Sequence, residues 1–385
     1  MRYDLASSSW DHKEIEAINS VIKRDAYTMG DSVKLFESNF ADFTQNKYCV
    51  MVNSGSSANL LAIASLFYKK ENPLKRGDEV IVPAVSWATT YYPLYQYGLK
   101  LKFVDVDRYT LNFDINELEK AVTDKTKLIF AVNLLGNPND YDKIKSIIAG
   151  KNIYLLEDNC ESLGGMYKGQ PLGSIGLIGT YSTFFSHHMS TMEGGLICTD
   201  DEELYHLVLS LRSHGWTRHL PKKNRLCVKS DFLFEESFRF IVPGYNVRPV
   251  EMMGAIGIEQ LKKLPNFLQH RRNNAKYFKE LFEKDKRFII QKEIEYSSWF
   301  GFSFLINDRN IKRKDLIKKL ADGNIDTRPI VAGNFARKEV VKWFDYEVQG
   351  NLSNADYIDK YGFFVGNHHF DIRDKLDYLK KVLSE

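Results

Sequence analysis

The chain has 385 residues, 44% of them apolar and 27% charged, with 53 Lys and Arg against 50 Asp and Glu for a net charge of +3. These values exclude a disordered or low-complexity chain and predict a large core with a second, smaller domain. Charges of both signs are interspersed without a basic stripe, no run approaches the ~18 apolar residues of a membrane span, and Met1-Arg-Tyr-Asp leads into polar sequence rather than a signal-peptide core. A cytoplasmic enzyme with no nucleic-acid or membrane partner is the expectation.

Short apolar runs alternate with helical patterns over the first two-thirds: Lys47-Tyr-Cys-Val-Met-Val, Glu79-Val-Ile-Val-Pro, Lys102-Phe-Val-Asp-Val, Leu128-Ile-Phe-Ala-Val and Ile153-Tyr-Leu-Leu-Glu-Asp. The alternation predicts an α/β fold with a mostly parallel sheet covered on both faces, and ligands at the carboxyl ends of its strands. After Met252-Met-Gly-Ala-Ile-Gly-Ile-Glu-Gln-Leu, a charged helical pattern from Leu264 to Lys284 precedes strand-like Trp299-Phe-Gly-Phe-Ser-Phe-Leu-Ile. Read as a bridging helix, it divides the chain into a large α/β domain, residues 1–255, and a small α+β domain, residues 256–385. Cys49, Cys160, Cys198 and Cys227 are far apart with no CxxC pair, so reduced, packed thiols are expected, and no metal.

Three segments carry chemistry. Asn53-Ser-Gly-Ser-Ser-Ala-Asn follows a strand and opens a helix, so its N–H groups and the Ser56 and Ser57 hydroxyls can cup a phosphate, although such a turn also serves as an ordinary N-cap. Leu155-Leu-Glu-Asp-Asn-Cys-Glu ends a strand with carboxylates. Asp158 there can hold a pyridinium nitrogen protonated, as pyridoxal phosphate (PLP) requires, or can cap the following turn. Gly179-Thr-Tyr-Ser-Thr-Phe-Phe-Ser-His-His-Met-Ser-Thr-Met-Glu-Gly-Gly runs from a strand into a polar loop with adjacent histidines.

Together these segments resemble the DegT/DnrJ/EryC1/StrS family of sugar aminotransferases, over nearly the whole chain. The resemblance implies the aspartate-aminotransferase-like fold (fold type I) and a PLP cofactor. The family's Schiff-base lysine falls on His187, and no lysine occurs between Lys168 and Lys222. Imidazole cannot anchor the cofactor covalently, but it moves protons near neutral pH. With Ser86-Trp-Ala-Thr-Thr and Glu157-Asp-Asn-Cys-Glu-Ser, the Ser-His-His version is similar to the GDP-4-keto-6-deoxy-D-mannose 3-dehydratase branch. That branch is implied to take an amino group from L-glutamate onto non-covalent PLP, giving pyridoxamine phosphate (PMP), which condenses with the 4-keto sugar. The histidine then removes a proton, the C3 hydroxyl leaves, and hydrolysis frees ammonia and a 3-deoxy sugar, on the way to 3,6-dideoxy sugars of polysaccharides.

Position by position, the resemblance puts the phosphate on Gly55, Ser56 and Ser182, ring stacking on Trp87, the ring nitrogen on Asp158 and the ring oxygen near Glu161. A Trp after a strand end is also often simply core. Asn246, in Pro243-Gly-Tyr-Asn-Val-Arg, is implied to reach a neighbouring phosphate across a homodimer. His188 reads as a supporting or substrate contact, and His368-His369 as a packed turn near the site mouth. His214, Arg218, Arg248 and Arg328 are candidates for substrate phosphate or sugar, each with a structural ion-pair alternative. A sugar 4-aminotransferase and a non-catalytic sugar-nucleotide-binding paralogue stay open. An iron–sulfur dehydratase with a partner reductase is disfavoured because the four cysteines are not grouped.

Overall fold

All five residues of Glu79-Val-Ile-Val-Pro are buried, as a strand covered on both faces requires, and the computed structural model of residues 1–385 places them inside an eight-stranded sheet. In chain order the strands are β1 Tyr48–Val52, β2 Glu79–Pro83, β3 Lys100–Val104, β4 Thr126–Val132, β5 Tyr154–Asp158, β6 Met166–Tyr167, β7 Gln170–Pro171, β8 Ile178–Ser182, β9 Gly195–Thr199, β10 Phe288–Ile290, β11 Gly301–Ile306, β12 Tyr346–Val348 and β13 Gly362–Gly366. The large sheet has the order β1-β9-β8-β5-β4-β2-β3-β12, and β9 alone runs against its neighbours. Period-two alternation sends Val80, Val82, Leu128 and Phe130 into the core under helices Gly55–Phe67, Ala88–Gln96 and Glu202–Leu211, while Ile81, Ile129 and Ala131 pack on the other face.

A second core surrounds the antiparallel sheet β10-β11-β13. It is built from aromatic rings, with Phe278 stacked on Phe302 at 4.3 Å and Phe304 on Phe363 at 5.2 Å between centroids. The bridging helix is longer than its charged pattern: it spans Glu251–Phe282 and continues through the exposed Pro265, which cannot donate to the carbonyl four residues before it. The division expected at 255/256 therefore falls inside a helix. Tyr3 also belongs to the second core, its hydroxyl donating to the Gly366 carbonyl at 2.5 Å, and β12 pairs with β3 in the large sheet. The two bodies are interleaved because the N-terminal segment and β12 each cross the boundary. No helix is long and apolar enough to cross a membrane.

Two buried carboxylates hold backbone N–H groups that the local chain leaves unpaired. The helix Asp31–Thr44 starts at Gly30, which has no capping side chain; Glu251, 2% exposed, accepts instead from the N–H groups of Ser32 (2.6 Å), Gly30 (2.7 Å) and Val33 (3.3 Å). Glu157 likewise accepts from Gly173, Ile175 and Gly176, fixing the loop before β8. Replacing Glu251 by Ala strands three donors at once, and a loss of about 2–3 kcal/mol is expected, read as a lowered midpoint in urea unfolding.

Candidate active site

At the carboxyl end of a parallel strand the backbone leaves the ladder, and in open α/β sheets the crevice there takes the ligand. The ends of β1, β2, β4, β5 and β8 open here into one cavity of about 610 Å³. Phe300, Arg328, Pro329, Val331 and Phe364 wall it from the second body, and Leu5 and Ala6 close it from the N-terminal segment.

Ser54 caps the helix Gly55–Phe67, its hydroxyl accepting from the Ser57 N–H at 3.1 Å. The N–H groups of Gly55 and Ser56, on the cavity wall, then have no intrahelical acceptor and form an anion cup at a helix N-terminus. Ser182, the last residue of β8, lies against it: a Cβ on Gly55 would meet the Ser182 Cβ at 2.7 Å and the Cys160 Sγ at 3.0 Å, so only glycine fits. Ser57 departs from expectation. Its hydroxyl donates to Asn53 Oδ1 at 2.6 Å and receives Ser54 at 3.0 Å, which turns it away from the cavity.

Successive residues of β5 face opposite sides, which explains its paired carboxylates: Glu157 serves the loop behind, and Asp158 faces the cavity. Asp158 is 5% exposed and accepts from Thr90 Oγ1 (2.8 Å) and Asn59 Nδ2 (2.9 Å) at one oxygen and from the Cys160 N–H (3.1 Å) at the other. Only the last bond is a local cap. Trp87 ends the β2 loop 58% exposed on the cavity rim, so it is not a core tryptophan. Glu161 receives the Leu135 N–H at 3.1 Å, yet burial pushes its carboxyl up to about 7.

His187 lines the cavity between Phe184 and Phe300, both edge-to-face, and its shielded Nδ1 has no hydrogen-bond partner. Burial, aided by the nearby Arg271 guanidinium, holds its pKa down to about 4. Arg271 is itself buried and donates to the carbonyls of Asn367 (3.0 Å) and Phe300 (3.2 Å). Of its two readings, His188 departs from the substrate contact and has the surroundings of the supporting one: it does not reach the cavity, is 1% exposed, hydrogen-bonds the Ser298 carbonyl at 3.2 Å and packs on the cavity-lining Phe300. His368 is also packed, between the Ser7 hydroxyl and the Asp4 carbonyl.

Gly55, Ser56, Trp87, Asp158, Glu161, Ser182, His187 and Arg328 thus share one cavity. His214, Arg218, Arg248 and Asn246 are absent from its lining within one chain. They gather instead around Trp216, with His214 at 4.9 Å, Arg218 at 5.3 Å and Arg248 at 5.8 Å from the indole, and Arg248 bonded to Asn246 at 3.0 Å. Sequence reading gave no role to Asn59 and Thr90, the fifth and third residues of helices that begin at Gly55 and just after Trp87. It also missed Leu5, Ala6 and Phe300, which arrive by tertiary return and carry no local signal.

The DegT/DnrJ/EryC1/StrS aminotransferase family model matches residues 8–369. The chain is 58% identical over 387 aligned residues, covering 100% of both chains, to a GDP-4-keto-6-deoxy-D-mannose 3-dehydratase of Escherichia coli O55:H7. It superposes with a TM-score of 0.98 at 57% identity on an E. coli GDP-4-keto-6-deoxy-D-mannose-3-dehydratase with bound hydrated PLP, over 100% of this chain and 99% of that one. A structure of GDP-4-keto-6-deoxymannose-3-dehydratase with a trapped PLP-glutamate geminal diamine matches equally, at 0.98 and 57%, over 99% and 100%. By its sequence, its architecture and the span of these matches, the chain belongs to the DegT/DnrJ/EryC1/StrS aminotransferase family.

Proposed function

We propose that this protein is a PLP- and PMP-dependent 3-dehydratase of a GDP-4-keto-6-deoxy sugar, of the mannose type or a related heptose, with L-glutamate as amino donor and ammonia as a product. The observation that carries the reading is one cavity joining an anion cup, a buried carboxylate and an imidazole, with no lysine in its lining. These residues fit the cofactor: the free N–H groups suit its phosphate, and the buried Asp158 oxygens suit a cationic ring nitrogen. When bound, PLP supplies an electron sink and, in its amine form, a nucleophile for the keto group.

In this role Gly55, Ser56 and Ser182 hold the phosphate, Trp87 stacks on the ring, Asp158 keeps the ring nitrogen protonated and Glu161 meets the ring oxygen. His187, neutral at pH 7, takes up the proton whose loss drives out the C3 hydroxyl. A lysine there would carry the proton on to the sugar carbon and complete amino transfer; the imidazole leaves elimination as the outcome. The exposed Arg328 guanidinium on the facing wall suits the substrate diphosphate.

The active form in this reading is a homodimer in which Asn246 reaches the partner's phosphate site. Its support is the group around Trp216, in which His214, Arg218, Arg248 and Asn246 gather on one surface and line no part of their own chain's active-site cavity. Beside it Phe232, Phe234, Phe238 and Phe240 are between 54% and 81% exposed, an apolar surface suited to a second copy.

Incubation with PLP, glutamate and GDP-4-keto-6-deoxymannose is expected to release ammonia and give a sugar lacking its C3 oxygen by mass, with His187→Asn slowing release at least about 100-fold. A 4-amino sugar would instead mean that transamination survives. For Glu161 the folded pKa lies above its unfolded value, so its contribution to stability is present below about pH 4.5 and is lost as pH rises through about 7. The Tm of cofactor-free Glu161→Gln, measured relative to the native protein, should therefore rise between pH 5 and pH 8; a constant difference would refute the raised carboxyl. Mixing Asp158→Asn with Asn246→Ala chains should restore about a quarter of native activity, because each random heterodimer rebuilds one complete site. No recovery on mixing would place Asn246 outside the partner's site.

A further inference from the structure

The loop carrying His187 is fastened at two places. At its base, Thr183 and Thr191 pair through their hydroxyls at 2.5 Å and through the Thr191 N–H to the Thr183 carbonyl at 2.9 Å. Immediately before that pair, Ser190 is 2% exposed and is held on both backbone groups: its N–H donates to Gln260 Oε1 at 3.0 Å, and its carbonyl accepts from Trp10 Nε1 at 3.0 Å. Gln260 is wholly buried and uses its entire amide. Its oxygen also receives the Ser9 hydroxyl at 2.7 Å, and its nitrogen donates to Glu14 Oε1 (2.8 Å) and the Ser9 carbonyl (3.1 Å). Glu14 is in turn gripped by Lys263 at 2.7 Å.

This network ties the N-terminal segment and the long helix to a point three residues from the imidazole. His187 itself has only ring packing and a turn bond from its N–H to the Phe184 carbonyl to orient it. A buried amide with every donor and acceptor engaged is rigid, and angular error at a proton-transfer group is costly in rate.

We propose that Gln260, with Trp10, is a positioning residue for the dehydration step, fixing Ser190 so that the His187 imidazole is held in line with the proton it removes. The inference rests on the reading of His187 given above. Gln260 and Trp10 do not line the cavity, so their loss acts on kcat rather than on substrate KM.

The test measures ammonia release by the PLP-loaded enzyme with glutamate and GDP-4-keto-6-deoxymannose for Gln260→Met, Trp10→Phe, His187→Asn and the Gln260→Met/His187→Asn double variant. Gln260→Met is expected to lower kcat about 10- to 100-fold with KM changed less than about 3-fold, and to cost less than about 2-fold in the His187→Asn background. Native kcat in folded Gln260→Met, or an equal loss in both backgrounds, overturns the positioning role alone. A native rate in His187→Asn overturns the reading of His187 beneath it. Should Gln260→Met not fold, Trp10→Phe decides, since it keeps an aromatic ring and removes one bond: a kcat lowered about 3-fold at constant KM supports the role, and an unchanged kcat refutes it.

Discussion

A carboxylate nineteen-twentieths removed from water must find donors, and the burial of Asp158 organises the carboxyl edge of the sheet around that demand. Its partners belong to separate elements: Asn59 to the helix after β1, Thr90 to the helix after β2, and Cys160 to the loop after β5. The bonds continue outward, from Thr180 on β8 to Asn59 at 2.6 Å and between Ser86 and Thr90 at 2.8 Å. Four strand ends are thereby held in one register by one charge. The anion cup beside Gly55 and the rim at Trp87 take their places from the same two helices.

The cavity's two titratable extremes arise from one cause acting on groups of opposite charge type. Burial disfavours whichever form is charged, so it raises the Glu161 carboxyl and lowers the His187 imidazolium. Arg271 deepens the second effect. Backbone carbonyls hold its cation, so its positive charge remains unneutralised close to the imidazole. The result, within one cavity, is an imidazole without its extra proton at neutral pH and a carboxyl that still partly retains its own.

The interleaving of the two bodies has a geometric consequence. Because Tyr3 is rooted beside β13, Trp10 bonds the His187 loop at Ser190 and Ser9 bonds Gln260 on the long helix, residues 4–10 form a strap from the small sheet to the carboxyl edge of the large one. Leu5 and Ala6, midway along it, become cavity wall. Gly136 makes a matching tie from the other side, where any Cβ would lie 2.5 Å from the Trp299 nitrogen; this close approach seats Phe300 over the imidazole.

Local sequence determined whatever depends on short range. The buried strands followed from unbroken apolar runs, and a Ser-Gly-Ser turn between strand and helix offered either an anion cup or an N-cap; that His187 stands where a lysine is usual followed only from the family resemblance. Family resemblance added roles for Trp87 and Glu161 that spacing alone left open. What the tertiary structure decided lies at long separation. It turned Ser57 away from the cavity to Asn53, buried His188 against Ser298, carried Leu5 and Phe300 to the cavity, and grouped His214, Arg218, Arg248 and Asn246 around Trp216 instead. Side-chain type and spacing set which element a residue joins; which neighbour it meets is set by the packing of elements distant in the chain, and that packing is a property of the whole core.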